Sequence, residues 1–210
     1  MAITRSFNPN TNILIDIARS SLENSENSPH NSLITIMFSS AALEAFINES
    51  QEIVHYLKGN HEDLIKYAKM MKRMVEDRKS IECKYHSALL HLTGSSEHKG
   101  KQPYQNFKVL VSIRNFVLHN KPDTYVTEHQ IKDSPKSREK KEHPNFIRHL
   151  VAAKVIETNE FNCNSIDLLL RQSVALWAYT TVEAMIANLI LSTPNTEFQE
   201  KLWGVAYHGC

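Results

Sequence analysis

The chain has few glycines and cysteines and almost no excess of either charge. It contains 5 Gly and 3 Cys among 210 residues, and 24 Lys and Arg nearly balance 23 Asp and Glu, which leaves a formal net charge of +1. Three widely spaced cysteines exclude a disulfide framework or a cysteine-rich zinc module and favour a reducing compartment. The near-neutral total argues against a protein that coats nucleic acid by bulk electrostatics.

The sequence also lacks a long uninterrupted apolar run. Its longest apolar-leaning stretch, 168–191, is interrupted by Arg171, Gln172 and Glu183, and its N-terminus lacks the apolar segment of a signal peptide. We therefore expect a cytoplasmic protein without a membrane span. Hydrophobic residues make up 41% of the chain, which suffices for a buried core and excludes a disordered chain.

Scarce glycine and the absence of alternating apolar and polar runs predict an all-α fold. The simplest architecture is a single up-and-down helical bundle over 1–210, with a core at about 11–191, a long exposed loop at 121–144 and a tail at 192–210. The loop would separate the helix before it from the C-terminal helices. The predicted helices are 11–23, 32–58, one or two within 60–92, 104–120, 145–158 and 164–191.

Two charged residues fall inside apolar helical stripes. Arg114 lies within one stripe, and Glu44 lies within another, with Asn48 one turn later on the same side. A lone buried charge costs several kcal/mol, so each needs a partner. We predict that Glu44 and Arg114 pair between the two helices. The stripe around Arg114 consists of Phe107, Leu110, Val111, Val117 and Leu118.

The polar residues that follow Arg114 suggest chemistry on RNA. Asn115 and His119 are four residues apart and share a helical face, and the helix C-terminus favours a protonated imidazole at His119. An Arg that holds a phosphate, an adjacent amide and a titrating His are sufficient to cleave RNA without a metal, because the 2′-hydroxyl is the nucleophile. The alternative from the residues alone is a structural ion pair that fixes helix register.

The segment 107–122, which reads FKVLVSIRNFVLHNKP, resembles the signature helix of HEPN domains. The motif of that family is an Arg, a polar residue that is often Asn, three further residues and a His, frequently followed by Lys-Pro. The segment 41–48, AALEAFIN, is similar to a recurring helix of the same family in which an acidic residue faces the motif. The two segments comprise 24 of the 210 residues and leave the rest of the 121–144 loop and the tail unmatched.

The resemblance implies a helical bundle that dimerises with its two motif helices facing each other across a cleft. Many family members are metal-independent endoribonucleases that act as toxins, in phage defence or in RNA processing, whereas others only bind or scaffold. Carried over to this chain, the resemblance implies that Arg114 and His119 are catalytic, that Asn115 assists them and that Glu44, supported by Asn48, anchors Arg114.

Charge along the chain is segregated in a way that suits a focused RNA site. From 98 to 122 there are five basic residues and no Asp or Glu, whereas from 157 to the C-terminus six acidic residues face two basic ones. A local patch of this size can hold a few phosphates. Lys108 and Lys121 are the candidate RNA-binding residues beside the motif.

The remaining constellations favour no metal and no cofactor. Cys83, His86 and His91 are the closest group of metal-ligating types, but their spacing turns His91 away from the other two. Glycine-rich phosphate loops and serine-hydrolase elbows are absent. The leading hypothesis is a homodimeric HEPN-type endoribonuclease, with RNA as substrate and an antitoxin or inhibitor protein as a conceivable partner. The alternative is a non-catalytic HEPN-like dimer that serves as an interaction or RNA-binding module.

Overall fold

A computed structural model of the chain describes residues 8–59, 61–119, 124–127, 139–157 and 163–207. Within these residues the fold is an all-α bundle, as predicted. Its α-helices are α1 (Thr11–Glu23), α2 (His30–Ile53), α3 (Glu62–Glu76), α4 (Ile81–Thr93), α5 (Tyr104–His119), α6 (Asn145–Ala152), α7 (Ser165–Leu169), α8 (Gln172–Leu191) and α9 (Thr196–Tyr207). Two 3-10 helices, η1 (Val54–Tyr56) and η2 (Glu97–Gly100), follow α2 and α4 respectively.

Local sequence signals set several helix ends. The Ser80 hydroxyl accepts a hydrogen bond from the Cys83 backbone amide at 3.2 Å and caps the start of α4, which ends at Gly94 in the left-handed conformation, with φ 67°. The Asn195 side chain accepts from the Phe198 amide at 2.8 Å and starts α9 in the same way. These caps pair amides and carbonyls that helix ends leave without partners.

Two long helices form the centre of the bundle. α2 packs against α1, α3, α5 and α8, and α8 also contacts α5 and α9. Within the described residues α8 is the one helix long and apolar enough to be a candidate membrane span, but more than half of it is buried inside the protein. It therefore has the pattern of a core helix. The buried residues it contributes include Trp177, Val182, Met185, Ile186 and Leu189.

The helix boundaries differ from the prediction in three regions. α6 ends at Ala152 and not at the predicted 158. α2 ends at Ile53 and the chain continues as η1, so regular α-helix stops before the predicted end at 58. The predicted helix 164–191 is divided into α7 and α8, because Arg171 adopts an extended conformation with ψ 136° and breaks the run of helical hydrogen bonds.

The segment 121–144 contains paired strands where the sequence predicted only a loop. β1 (Thr124–Thr127) and β2 (Glu139–Glu142) pair antiparallel, with Thr124 opposite Glu142 and Thr127 opposite Glu139. The β-branched and aromatic residues of β1 favour an extended chain. His143 and Pro144, the two residues of this segment whose side chains the structure describes, are half-buried, and the predicted exposure of 121–142 concerns side chains outside those described.

The C-terminal tail is part of the core, so the prediction that the core ends at about 191 is wrong. α9 buries four apolar residues, Phe198, Leu202, Val205 and Ala206. The ring of Phe198 meets that of Tyr67 on α3 in a T-shaped contact, with ring centroids 5.9 Å apart. The last helix therefore closes the bundle against α1, α2 and α8.

Candidate functional site

Glu44 and Arg114 form the predicted ion pair. Arg114 Nη2 lies 3.3 Å from Glu44 Oε2 and joins α5 to α2 across 70 residues of sequence. The Arg114 side chain is 33% exposed and the Glu44 side chain 41% exposed. The pair therefore lies at the protein surface between the two helices, and its burial was overestimated from the sequence. A guanidinium at this depth is fixed by protein and still accessible to a ligand.

Asn115 and His119 are both exposed, as the helical spacing predicts. Arg114 Nη1 donates a hydrogen bond to Asn115 Oδ1 at 3.3 Å, so the guanidinium is held from two sides. Lys108 and Ser112 are also exposed and precede Asn115 and His119 at intervals of three or four residues. These four side chains form one continuous stripe, which we call the polar row of α5.

Arg114 and His119 point in different directions from α5. Five residues correspond to about 500° of helical rotation, so the two side chains leave the helix about 140° apart. Arg114 turns toward α2, whereas His119, at the last residue of the helix, lies on the polar row. One chain therefore does not bring the two groups together on the same side of α5.

The last turns of α5 are poorly covered, which corrects the predicted core stripe. The buried residues of α5 are Tyr104, Phe107, Leu110, Val111 and Ile113, and none follows Ile113. Val117 is half-buried and Leu118 is 52% exposed, although both were predicted to face the core. Periodicity located the correct side of the helix but did not show where the neighbouring helices stop covering it.

A half-exposed face of α2 surrounds Glu44. We call it the open face of α2, and Asn48 belongs to it one turn beyond Glu44. Its other members are apolar, and all but Ala45 lie on the N-terminal side of Glu44. Ile34 is the most exposed of them, at 38%. The apolar members are Ile34, Met37, Phe38, Ala41 and Ala45.

Lys84 on α4 reaches this face and was missed by the sequence analysis. Lys84 Nζ donates a hydrogen bond to Asn48 Oδ1 at 2.8 Å, and the residue is only 5% exposed. The Tyr85 hydroxyl, next in sequence, donates to the Leu43 carbonyl at 3.1 Å and fixes α4 against α2. Burial raises the pKa of Tyr85, so this hydroxyl remains a donor. No sequence signal marked Lys84, because only the packing of α4 against α2 gives it this location.

The histidines of α4 make contacts other than the cluster considered from the sequence. His91 Nε2 contacts the Asp63 carbonyl oxygen at 3.0 Å. His86 Nδ1 lies 2.9 Å from His98 Nε2, so one ring donates a hydrogen bond to the other. Burial, followed by nearby charge, lowers the pKa of both imidazoles. Within the described residues no group of three His, Cys, Asp or Glu side chains is arranged to hold a metal ion.

Of the two candidate RNA-binding lysines, Lys108 is exposed on the polar row of α5, and Lys121 lies outside the described residues.

Comparison of the chain with protein-family models, with curated proteins and with solved structures finds no match. The function of the chain is therefore inferred from its own residues and geometry.

Proposed function

We propose that the chain is a HEPN-type, metal-independent endoribonuclease. The observation that carries the proposal is Arg114, held by Glu44 on one side and Asn115 on the other, with a third of its side chain still exposed, on the helix that ends at His119. A fixed cation, an amide and an imidazole are the groups that RNA cleavage by its own 2′-hydroxyl requires.

In the proposed reaction the 2′-oxygen attacks the adjacent phosphorus and the bond from phosphorus to the 5′-oxygen breaks. The imidazole of His119 from one copy accepts the proton of the 2′-hydroxyl. The protonated imidazole of His119 from the other copy donates a proton to the leaving 5′-oxygen. Arg114 stabilises the negative charge on the phosphate oxygens, and Asn115 orients the guanidinium or the phosphate. The products are a 2′,3′-cyclic phosphate and a 5′-hydroxyl.

The proposal includes a homodimer. Arg114 and His119 diverge by about 140° on one helix, so a second α5 is needed to bring a His119 toward an Arg114. The apolar members of the open face of α2 and Leu118 provide partly exposed apolar surface beside the ion pair, which suits an interface between two copies. As a cytoplasmic protein it would act as a toxin or phage-defence effector, controlled by an antitoxin or inhibitor protein.

One observation favours the alternative, a non-catalytic dimeric module that binds protein or RNA. Both ends of the Arg114 guanidinium already have partners, Glu44 and Asn115, so a purely structural role is chemically satisfied. Under this alternative the pair would maintain the binding surface, and His119 would be dispensable.

Incubation of the purified chain with single-stranded RNA in excess chelator tests the proposal. We expect cleavage to a 2′,3′-cyclic phosphate, lost in His119→Ala and in Arg114→Ala while circular dichroism remains unchanged. His55→Ala is the matched control, because His55 is also exposed but lies in η1, outside α5. Cleavage that survives both motif variants, or that requires a divalent ion, refutes the mechanism. Absence of cleavage with retained RNA binding would support the alternative.

A further inference from the structure

Lys84 is a nearly buried cation with no acidic partner in the part of the chain that the structure describes. It is 5% exposed, and among the described residues no Asp or Glu oxygen lies within the 4.0 Å of an ion pair with its ammonium. Its described hydrogen-bond partner is the neutral amide oxygen of Asn48. A buried charge costs several kcal/mol unless it is paired, and a lysine ammonium has three N–H donors. One neutral acceptor leaves most of this charge uncompensated.

The location of the ammonium connects it to the proposed site. Asn48 and Glu44 are four residues apart on the open face of α2, so their side chains start about 5–6 Å apart. Arg114 reaches this face at Glu44, and Lys84 reaches it at Asn48. Two cations from two different helices therefore approach neighbouring positions of the same face. Arg114, Lys84 and the acidic residue Glu44 together carry a net charge of +1.

We infer that Lys84 binds a phosphate of the RNA substrate next to the phosphate held by Arg114. The inference rests on the proposed function and adds a second binding point to the same site. Asn48 holds the ammonium by one N–H, and the phosphate oxygens accept from the remaining donors. The substrate supplies the acidic partner that the described residues do not provide.

The nature of the site favours a phosphodiester chain over a small acidic ligand. Glu44 and Asn48 hold Arg114 and Lys84 at neighbouring positions of one face, so a chain with successive phosphates can contact both cations at once. Each phosphate neutralised on single-stranded nucleic acid contributes about 0.7 to the slope of log affinity against log salt concentration. Loss of the Lys84 contact should therefore reduce this slope, whereas a loss of packing alone should leave the slope unchanged.

The experiment measures RNA affinity by fluorescence anisotropy over a range of salt concentrations, in His119→Ala so that cleavage does not interfere. Lys84→Gln removes the charge and keeps an amide donor for Asn48, and Lys84→Arg keeps the charge. We expect Lys84→Gln to bind more weakly, with a salt slope smaller by about 0.7, and Lys84→Arg to keep the slope. Lys66→Gln is the matched control, since Lys66 is exposed on α3 and already paired with Glu62 and Asp63.

A Lys84→Gln chain that is folded and binds RNA with an unchanged salt slope overturns the inference. If Lys84→Gln does not fold, Asn48→Asp provides a second route, because a carboxylate beside Lys84 neutralises it and should reduce the slope in the same way. An unchanged slope in Asn48→Asp would then overturn it. Lys84-dependent RNA binding without cleavage by the wild-type chain would refute the catalytic proposal alone, and absence of RNA binding would refute both.

Discussion

Glu44 and Arg114 are 70 residues apart in sequence and joined by a 3.3 Å ion pair at the surface, where 41% and 33% of their side chains remain exposed. Exposed pairs contribute little to stability, since the attraction is screened by water and opposed by side-chain entropy. Because the Glu44–Arg114 pair contributes little to stability, its main effect is to hold the Arg114 side chain in one orientation. The two possible roles of the pair can therefore be separated experimentally.

The first prediction concerns Glu44→Gln. We expect the free energy of unfolding to fall by about 0.2–1 kcal/mol, as for other exposed pairs. RNA cleavage should fall by about a hundredfold, because a small misplacement of Arg114 weakens its contact with the reacting phosphate. Urea denaturation and single-turnover cleavage measure the two quantities. Glu62→Gln, which removes a surface partner of Lys66, is the control for loss of an exposed pair. Cleavage at the wild-type rate in Glu44→Gln would mean that the pair does not orient Arg114.

The second prediction concerns the C-terminal helix. Phe198→Ala should lower the free energy of unfolding by about 3–5 kcal/mol, because the ring is fully buried and leaves a cavity against Tyr67. Lys201→Ala on the same helix, at an exposed position, should change it by less than about 0.5 kcal/mol. Equal effects of the two substitutions would contradict the location of α9 in the core.

This helix also shows what the sequence could and could not predict. The fold class followed from scarce glycine and helical periodicity, which are properties of each segment alone. α9 was missed because Gly204 within it and Pro194 before it resemble the composition of a tail, although half of its residues are apolar. Its burial depends on α1, α2 and α8 leaving a space of the right shape, and no local pattern encodes that space.

The third prediction is a pH dependence of stability from His86 and His98. Burial lowers the pKa of both imidazoles in the folded chain, with a further contribution from Lys99 at each. In the unfolded chain they titrate near the ordinary value of about 6.5. Between that value and the lower folded pKa, the unfolded chain binds more protons. The free energy of unfolding should therefore be unaffected by this pair above about pH 7 and decrease as the pH falls.

Denaturation curves at about pH 7.5 and about pH 5 test this dependence. The double variant His86→Gln, His98→Gln should lose less stability on acidification than the wild-type chain. His55→Gln, at an exposed position outside this pair, should leave the decrease unchanged. An equal decrease in the wild-type chain and the double variant would show that this pair does not determine the acid response.

The ion pair of the candidate site was predictable from the sequence, whereas Lys84 and the exposure of Leu118 were not. Glu44 and Arg114 were found because a charge inside an apolar stripe requires a partner, and that rule applies to sequence alone. Lys84 lies in a helix whose sequence gave no such signal, and its relation to Asn48 depends on how α4 crosses α2. Leu118 was assigned to the core because periodicity does not reveal that coverage of α5 ends after Ile113.

The fourth prediction uses that exposed leucine to test the dimer. Leu118→Asp should convert a dimer into single chains, because a carboxylate buried in an interface without a partner is strongly unfavourable. Cleavage should be lost with the dimer, since one chain directs Arg114 and His119 to different sides of α5. Leu176→Asp is the matched control, because Leu176 on α8 is 51% exposed, close to the 52% of Leu118. Light scattering measures the mass, and circular dichroism should show unchanged helix content in both variants. A Leu118→Asp chain that remains dimeric would locate the interface elsewhere, and a wild-type chain that cleaves RNA as a monomer would contradict the two-helix site.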